Sequence, residues 1–197
     1  MKKPFLFTTV GKPWKPGDNG GRDARPPGAP GERAPRWYWG EHLPHFDQPE
    51  AVQSITIRLF DSLPQERLAE LERDAERLDD VTRRKQIEAW LDAGYGDCFL
   101  SQPKVGAVVE GAFQFFHGQR YWLHAWVLMP NHAHVLIELM AEPTLKDVLH
   151  SWKSYTSHAA NKVLQRRGSF WQEDYWDRYI RNQRHFNKRW TTFTRIP

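Results

Sequence analysis

The chain of 197 residues has a single cysteine, Cys98, so no disulfide can close within it and no cluster of thiolates can hold zinc. That usage suits a reducing compartment, and we expect a cytoplasmic protein. Long apolar runs are missing too. Met1-Lys2-Lys3 opens like a secretion signal, but Pro4 follows, and Phe5–Val10 meets Gly11-Lys12-Pro13 before it reaches signal length. No later stretch is long enough to span a bilayer. Apolar residues are scarce in residues 1–35, which are dense in Gly, Pro, Arg and Asp, as in Gly17-Asp-Asn-Gly-Gly21 and Arg25-Pro-Pro-Gly-Ala-Pro30. Such a segment cannot offset its ordering entropy, and we expect it to be disordered. Acidic residues are scarce at the other end. From Gln165 to Pro197 eight Arg/Lys face three Asp/Glu, a balance of +5, against +4 for the whole chain. A basic, aromatic-rich end suits a phosphate backbone, although basic tails are also common solvated surface.

What is present is organised around Tyr121–Leu139. Tyr121 to Met129 is an almost unbroken apolar run rich in aromatic and branched residues, the pattern of a strand covered on both faces. Pro130-Asn131 interrupts it, since proline cannot extend a ladder and asparagine accepts turn geometry. The chain restarts with His132-Ala133-His134 and continues as Val135-Leu136-Ile137. Side chains alternate along a strand, so His132 and His134 share one face, their backbones about 6–7 Å apart. Two imidazoles on one face at a strand start make half of a metal site. The same spacing also fits two solvated polar residues.

Around this hairpin, Val52-Gln-Ser-Ile-Thr-Ile-Arg-Leu59 alternates as a strand. Asp61-Ser62-Leu63-Pro64 supplies a helix start, followed by an apolar stripe of Leu68, Leu71, Ala75 and Leu78. A second helix is expected over Asp80–Ala93, with Val81, Ile87, Ala89, Trp90 and Leu91 apolar and Gly94 ending it. A third follows Pro103, with Val105, Val108, Val109, Ala112, Phe113 and Phe116. Beyond Pro143, a helix of about six turns carries Leu145, Val148, Leu149, Trp152, Ala159, Ala160, Val163 and Leu164, and Gly168 closes it. On it Lys146, Lys153 and Lys162 interleave with Trp152, Tyr155 and His158, either as an ordinary amphipathic face or as a nucleic-acid surface. Phe170–Ile180 is strand-like, and Arg181–Lys188 opens one more helix. This order of elements indicates an α+β sandwich with a largely antiparallel sheet.

At the hairpin the sequence resembles a known family. Met129-Pro-Asn-His-Ala-His-Val-Leu-Ile137 is similar to the HUH signature (His, hydrophobic, His) of single-tyrosine transposases, and the wider chain resembles the REP-associated tyrosine transposases. The supporting pieces are His45-Phe46-Asp47, Ile55-Thr-Ile-Arg-Leu59, Leu91-Asp-Ala-Gly-Tyr-Gly96, Trp152-Lys-Ser-Tyr-Thr156 with Asn161, Gly168-Ser-Phe-Trp171 and Tyr175-Trp-Asp-Arg178. The resemblance implies a ferredoxin-like domain over residues 36–188 that nicks and rejoins single-stranded DNA at hairpin-bearing ends. It implies a divalent ion, Mg²⁺ or Mn²⁺, held by His132, His134 and an amide or carboxylate of the C-terminal helix, with DNA contacts at Lys153, Trp171, Arg178 and Arg181. The ion would polarise the scissile phosphate, and a tyrosine would attack it to conserve bond energy as a phosphotyrosine.

The family's nucleophile belongs to a Tyr-Ile-x-x-Asn-Pro pattern on the final helix, and here no tyrosine follows Tyr179. Lys188-Arg-Trp-Thr-Thr-Phe-Thr-Arg-Ile-Pro197 can be encoded AAA CGG TGG ACT ACA TTC ACG AGA ATC CCG. Read from its third base, that string spells Thr-Val-Asp-Tyr-Ile-His-Glu-Asn-Pro. We therefore expect residues 189–197 to be an aberrant end from a shifted frame, with the nucleophile lost. Tyr179, in Tyr179-Ile-Arg-Asn-Gln183, is the fallback nucleophile, whereas Tyr155 and Tyr175 read as packing or base-stacking residues. The competing readings are an inactive DNA-hairpin binding protein and a metal-dependent hydrolase using water. The second is disfavoured because no spare carboxylate neighbours the histidines in sequence.

Overall fold

In a computed structural model, the structure describes residues 36–39, 44–64, 66–67, 69, 73 and 79–195. The N-terminal segment 1–35 lies outside them, as do Leu68, Leu71, Ala75 and Leu78 of the first expected helix and the last two residues of the end segment. Among the described residues, strands β1 (Arg36–Trp39) and β2 (Pro44–Asp47) form a small antiparallel ribbon. A four-stranded antiparallel sheet comprises β3 (Val52–Arg58), β4 (Tyr121–Leu128), β5 (His132–Leu139) and β6 (Trp176–Tyr179), in the order β4-β5-β3-β6. The helices are α1 (Asp80–Asp92), α2 (Pro103–Phe115), α3 (Leu145–Val163) and α4 (Gln183–Arg195). Strand β3, the intervening helices, the β4–β5 hairpin, α3 and then β6 inserted beside β3 form the split arrangement of ferredoxin-like folds. The fold is α+β with an antiparallel sheet, as the sequence led us to expect.

Local chemistry sets the boundaries. Pro130 ends the β4 ladder, and the turn closes through Met129 N–H donating to the His132 carbonyl at 2.9 Å. Two further bonds pin that turn. The Leu59 amide donates to the Asn131 carbonyl at 2.8 Å, and the Leu100 amide to that of Pro130 at 3.1 Å. Helix α3 starts in a capping box of Thr144 and Asp147, while Asp47 of β2 accepts from the Leu145 amide at 3.1 Å.

Alternation gives the sheet two unlike faces. Ile55 and Ile57 of β3, Trp126 of β4 and Ala133, Val135 and Ile137 of β5 enter the main core, beneath Val105, Val109 and Phe113 of α2 and Leu145, Val148 and Trp152 of α3. On the opposite face Val52, Ala125, Val127 and Leu136 meet Phe186 and Phe193 of α4. Beside them, Ile87 and Leu91 of α1 pack with Leu63 and Trp176. Three expected apolar positions differ. Trp122 is 43% exposed because it sits at the hairpin end farthest from the turn, where its ring meets His117 edge-on. Val163 is exposed at the last residue of α3, and Ala89 is exposed on α1.

Candidate metal centre and nucleic-acid face

His132 and His134 open β5 directly after the pinned turn, opposite Arg58 and Thr56 of β3. His132 is buried and His134 partly buried. Their Nε2 atoms lie 3.1 Å apart, with the rings edge to face. The tautomer of His132 follows from its neighbour. Asn131 donates through Nδ2 to the Tyr95 carbonyl at 3.0 Å, which makes its Oδ1 the acceptor of the 2.8 Å contact to His132 Nδ1. His132 Nδ1 thus carries the proton and Nε2 presents a lone pair. His134 Nδ1 lies 2.8 Å from the Thr56 hydroxyl, which can rotate to donate or accept. Without a cation, His134 Nε2–H donates to His132 Nε2. With the proton moved to Nδ1 and donated to Thr56, His134 Nε2 also presents a lone pair, 3.1 Å from that of His132.

A separation of 3.1 Å suits two adjacent ligands of one ion, since metal–nitrogen bonds of about 2.1 Å at right angles put the nitrogens about 3 Å apart. Burial, and then the His134 charge, holds His132 well below its usual protonation range. Burial, and then Arg189, pushes His134 down to about 4. Both imidazoles are therefore neutral near neutral pH, the state a ligand requires. Among the described residues no three His, Cys, Asp or Glu side chains are already gathered as a complete metal cluster. One carboxylate does approach: Asp92, the last residue of α1, brings Oδ1 to 4.0 Å from His132 Nε2. Its carboxyl is raised above the usual range by burial first and by Glu88 second.

Beside the pair a cleft is lined by Ser54 and Thr56 of β3, Glu88 of α1, Trp176 and Arg178 of β6 and Arg189 of α4, among others. Arg58 shares this face. It is buried at 8% exposure, lies 5.3 Å over the Trp176 ring and is lowered to about 10 by desolvation despite Asp174. Helix α4 sets the Phe193 ring 6.3 Å from that of His134. Among the described side chains of the C-terminal helix, an aromatic ring, Phe193, and a cation, Arg189, stand near His134.

The expected DNA contacts divide between the two sides of the sheet. Arg178 lines the cleft, and Arg181 is exposed just past β6. Trp171 is in the main core, only 7% exposed, and its indole N–H donates to Thr156 at 2.7 Å, so it offers no free ring for a base. Lys153 donates to the carbonyls of Gln172 and Glu173 at 3.0 and 2.6 Å, and burial lowers it to about 8. Tyr179 pairs with Gln53, in register with the face opposite Thr56, and its ring packs 5.1 Å from Phe46. The sheet therefore separates Tyr179 from the histidines. Tyr175 bonds Tyr38 and stacks 4.0 Å from His45, and Tyr121 donates to the Phe113 carbonyl inside the core. Tyr155 is exposed on α3, across the sheet from the histidines. Sequence reading missed Thr56, Arg58, Asp92 and Arg189, which only the strand register and helix packing bring to the pair.

Residues 110–185 match the sequence model of the family described as "Transposase IS200 like". No curated protein matches the chain. Among solved structures, one described as "Structure of the REP associates tyrosine transposase bound to a REP hairpin" is similar at 16% identity and a TM-score of 0.45, covering 77% of this chain and 68% of that one. The matched stretch runs from within α2 through the histidine pair to β6 and the start of α4.

Proposed function

We propose that this protein binds single-stranded or hairpin DNA across the histidine face and holds one divalent ion, Mg²⁺ or Mn²⁺, between His132 and His134. The observation that carries the reading is the pair itself, two imidazoles with Nε2 atoms 3.1 Å apart inside the stretch that matches the IS200-like transposase model. When bound, such an ion supplies Lewis-acid polarisation of a phosphate oxygen. Asn131 and Thr56 orient the two rings, and that outer hydrogen bonding is what makes a histidine site selective and firm. Arg178, Arg181 and Arg189 carry the phosphate contacts, with guanidinium groups suited to paired contacts on phosphate oxygens. Lys153 and Trp171 serve the fold.

Strand transfer through a phosphotyrosine needs a phenol on the histidine face, and Tyr179 is on the other. Helix α4 instead presents Arg189 and Phe193. We infer that no tyrosine within these 197 residues attacks at the histidine face, and that a shifted frame over residues 189–197 spelling Tyr-Ile-x-x-Asn-Pro accounts for its lack there. Incubation with Mn²⁺ and labelled single-stranded hairpin DNA tests both parts. The expected result is a metal-dependent complex with neither covalent adduct nor cleavage. An adduct would overturn the loss of the nucleophile, cleavage without adduct would make water the nucleophile, and no binding would remove the DNA reading. For the frame, the encoding DNA read from the third base of the Lys188 codon must spell that pattern.

A further inference from the structure

We propose that Asp92 is the third ligand of the ion held by His132 and His134, a carboxylate delivered by α1 rather than by the C-terminal helix. The inference rests on the metal-binding reading above and deepens it.

Asp92 Oδ1 already stands 4.0 Å from His132 Nε2, and its side chain is 65% exposed, so a rotation within solvent closes the remaining distance. A carboxylate oxygen and an imidazole nitrogen adjacent on one ion are about 3 Å apart. The backbone that carries Asp92 is fixed against the histidine turn. Asn131, whose Oδ1 orients His132, uses its Nδ2 to hold the Tyr95 carbonyl, three residues beyond Asp92. One amide therefore sets the ring of one ligand and the position of the other. The next residues are pinned as well. Asp61 accepts from the Asp97 amide at 2.7 Å, and Gly96, at φ +83°, passes so close that an added Cβ would meet the Asp61 carbonyl at 2.5 Å.

The chemistry favours this carboxylate. Two neutral imidazoles confer little preference for Mg²⁺ or Mn²⁺, which favour hard oxygen donors, and one carboxylate supplies both oxygen and charge. From the other side α4 brings Phe193 and the Arg189 cation, neither of which can ligate. Glu88, one helical turn before Asp92 and lining the cleft, adds negative potential there.

The test is Mn²⁺ binding by the full chain, read by titration calorimetry and by the loss of the free Mn²⁺ electron paramagnetic resonance signal. The proteins are the wild type, His132→Ala, Asp92→Asn and Asp92→His. The expected result is binding by the wild type, loss in His132→Ala, and weakening by about tenfold or more in Asp92→Asn. Asp92→His should shift preference from Mn²⁺ towards Zn²⁺, because a third imidazole suits the softer ion. Asp92 ends its helix at the surface, so circular dichroism should show each Asp92 variant folded as the wild type. Mn²⁺ binding that needs His132 but is unchanged in Asp92→Asn would overturn this inference and leave the metal reading intact. A wild type that binds no Mn²⁺ would overturn both.

Discussion

Along β5 neighbouring residues serve two unlike surfaces. Ala133, Val135 and Ile137 go into the main core under α2 and α3, while His132, His134 and Leu136 face α4 and the cleft beside α1. The first face is closed by aromatic packing. The Phe113 and Trp152 rings lie 4.8 Å apart, and the Trp152 indole donates to the Tyr121 hydroxyl at 2.8 Å. The second face is only partly closed, and its buried and half-buried members include groups a hydrocarbon core would not keep: His132 and Arg58, buried, with His134 and Thr56 half-buried. Burying such groups costs free energy unless they are paired or serve a ligand. The difference teaches that one strand can serve a closed core and a polar, partly open face, separated by side-chain alternation.

The separation can be broken from either side. Phe113→Ala, at a fully buried ring, should cost about 3–5 kcal/mol in urea unfolding and leave Mn²⁺ affinity of the folded protein unchanged. Altered metal affinity there would mean the two faces are coupled through the sheet. Thr56→Val keeps shape but removes the hydroxyl from His134 Nδ1, and should weaken Mn²⁺ binding by roughly 10–100-fold with a much smaller effect on unfolding. A variant that binds as the wild type would show that Thr56 does not orient the ring.

Lys153 gives the core side a pH signature. Its ammonium is lowered to about 8 by burial, while in the unfolded chain it titrates at 10.5. Between those values the unfolded state binds more protons, so the stability this group contributes is full above pH 10.5 and is lost as pH falls through about 8. Comparing the wild type with Lys153→Met in urea at pH 7.5 and 10, the wild type should gain on the order of 1 kcal/mol relative to the variant at the higher pH, a figure discounted for the part of the group still in solvent. An unchanged difference would contradict the buried ammonium. The smallest effect belongs to Tyr179→Phe, which should alter neither Mn²⁺ nor hairpin binding, because the sheet lies between it and the histidines. A loss of hairpin binding would place DNA on both faces.

The parts of this arrangement legible in the sequence are those coded by nearby residues. The Pro130-Asn131 turn, the alternation that puts His132 with His134, and the long stripe of α3 each follow from a local period. Asp92 was invisible because it comes from a helix far earlier in the chain, and its approach depends on the side chain of Asn131, which reads locally as a turn residue. Thr56 needed the register of β3 on β5. Trp171 and Lys153 show the converse: aromatic and basic residues suit a DNA surface by type, but type does not reveal that Trp171 bridges to Leu59 and enters the core, or that Lys153 donates to two carbonyls. Among the described residues no helix is long and apolar enough to cross a membrane.

The most direct test of the metal and DNA face is fluorescence anisotropy of a labelled single-stranded hairpin DNA with the wild type and with His132→Ala/His134→Ala, each titrated with and without Mn²⁺ at fixed salt. Binding by the wild type should tighten on adding Mn²⁺, and the variant should bind with one affinity in both conditions, the residual set by Arg178, Arg181 and Arg189. Equal tightening by Mn²⁺ in both proteins, or no hairpin binding by either, would contradict it.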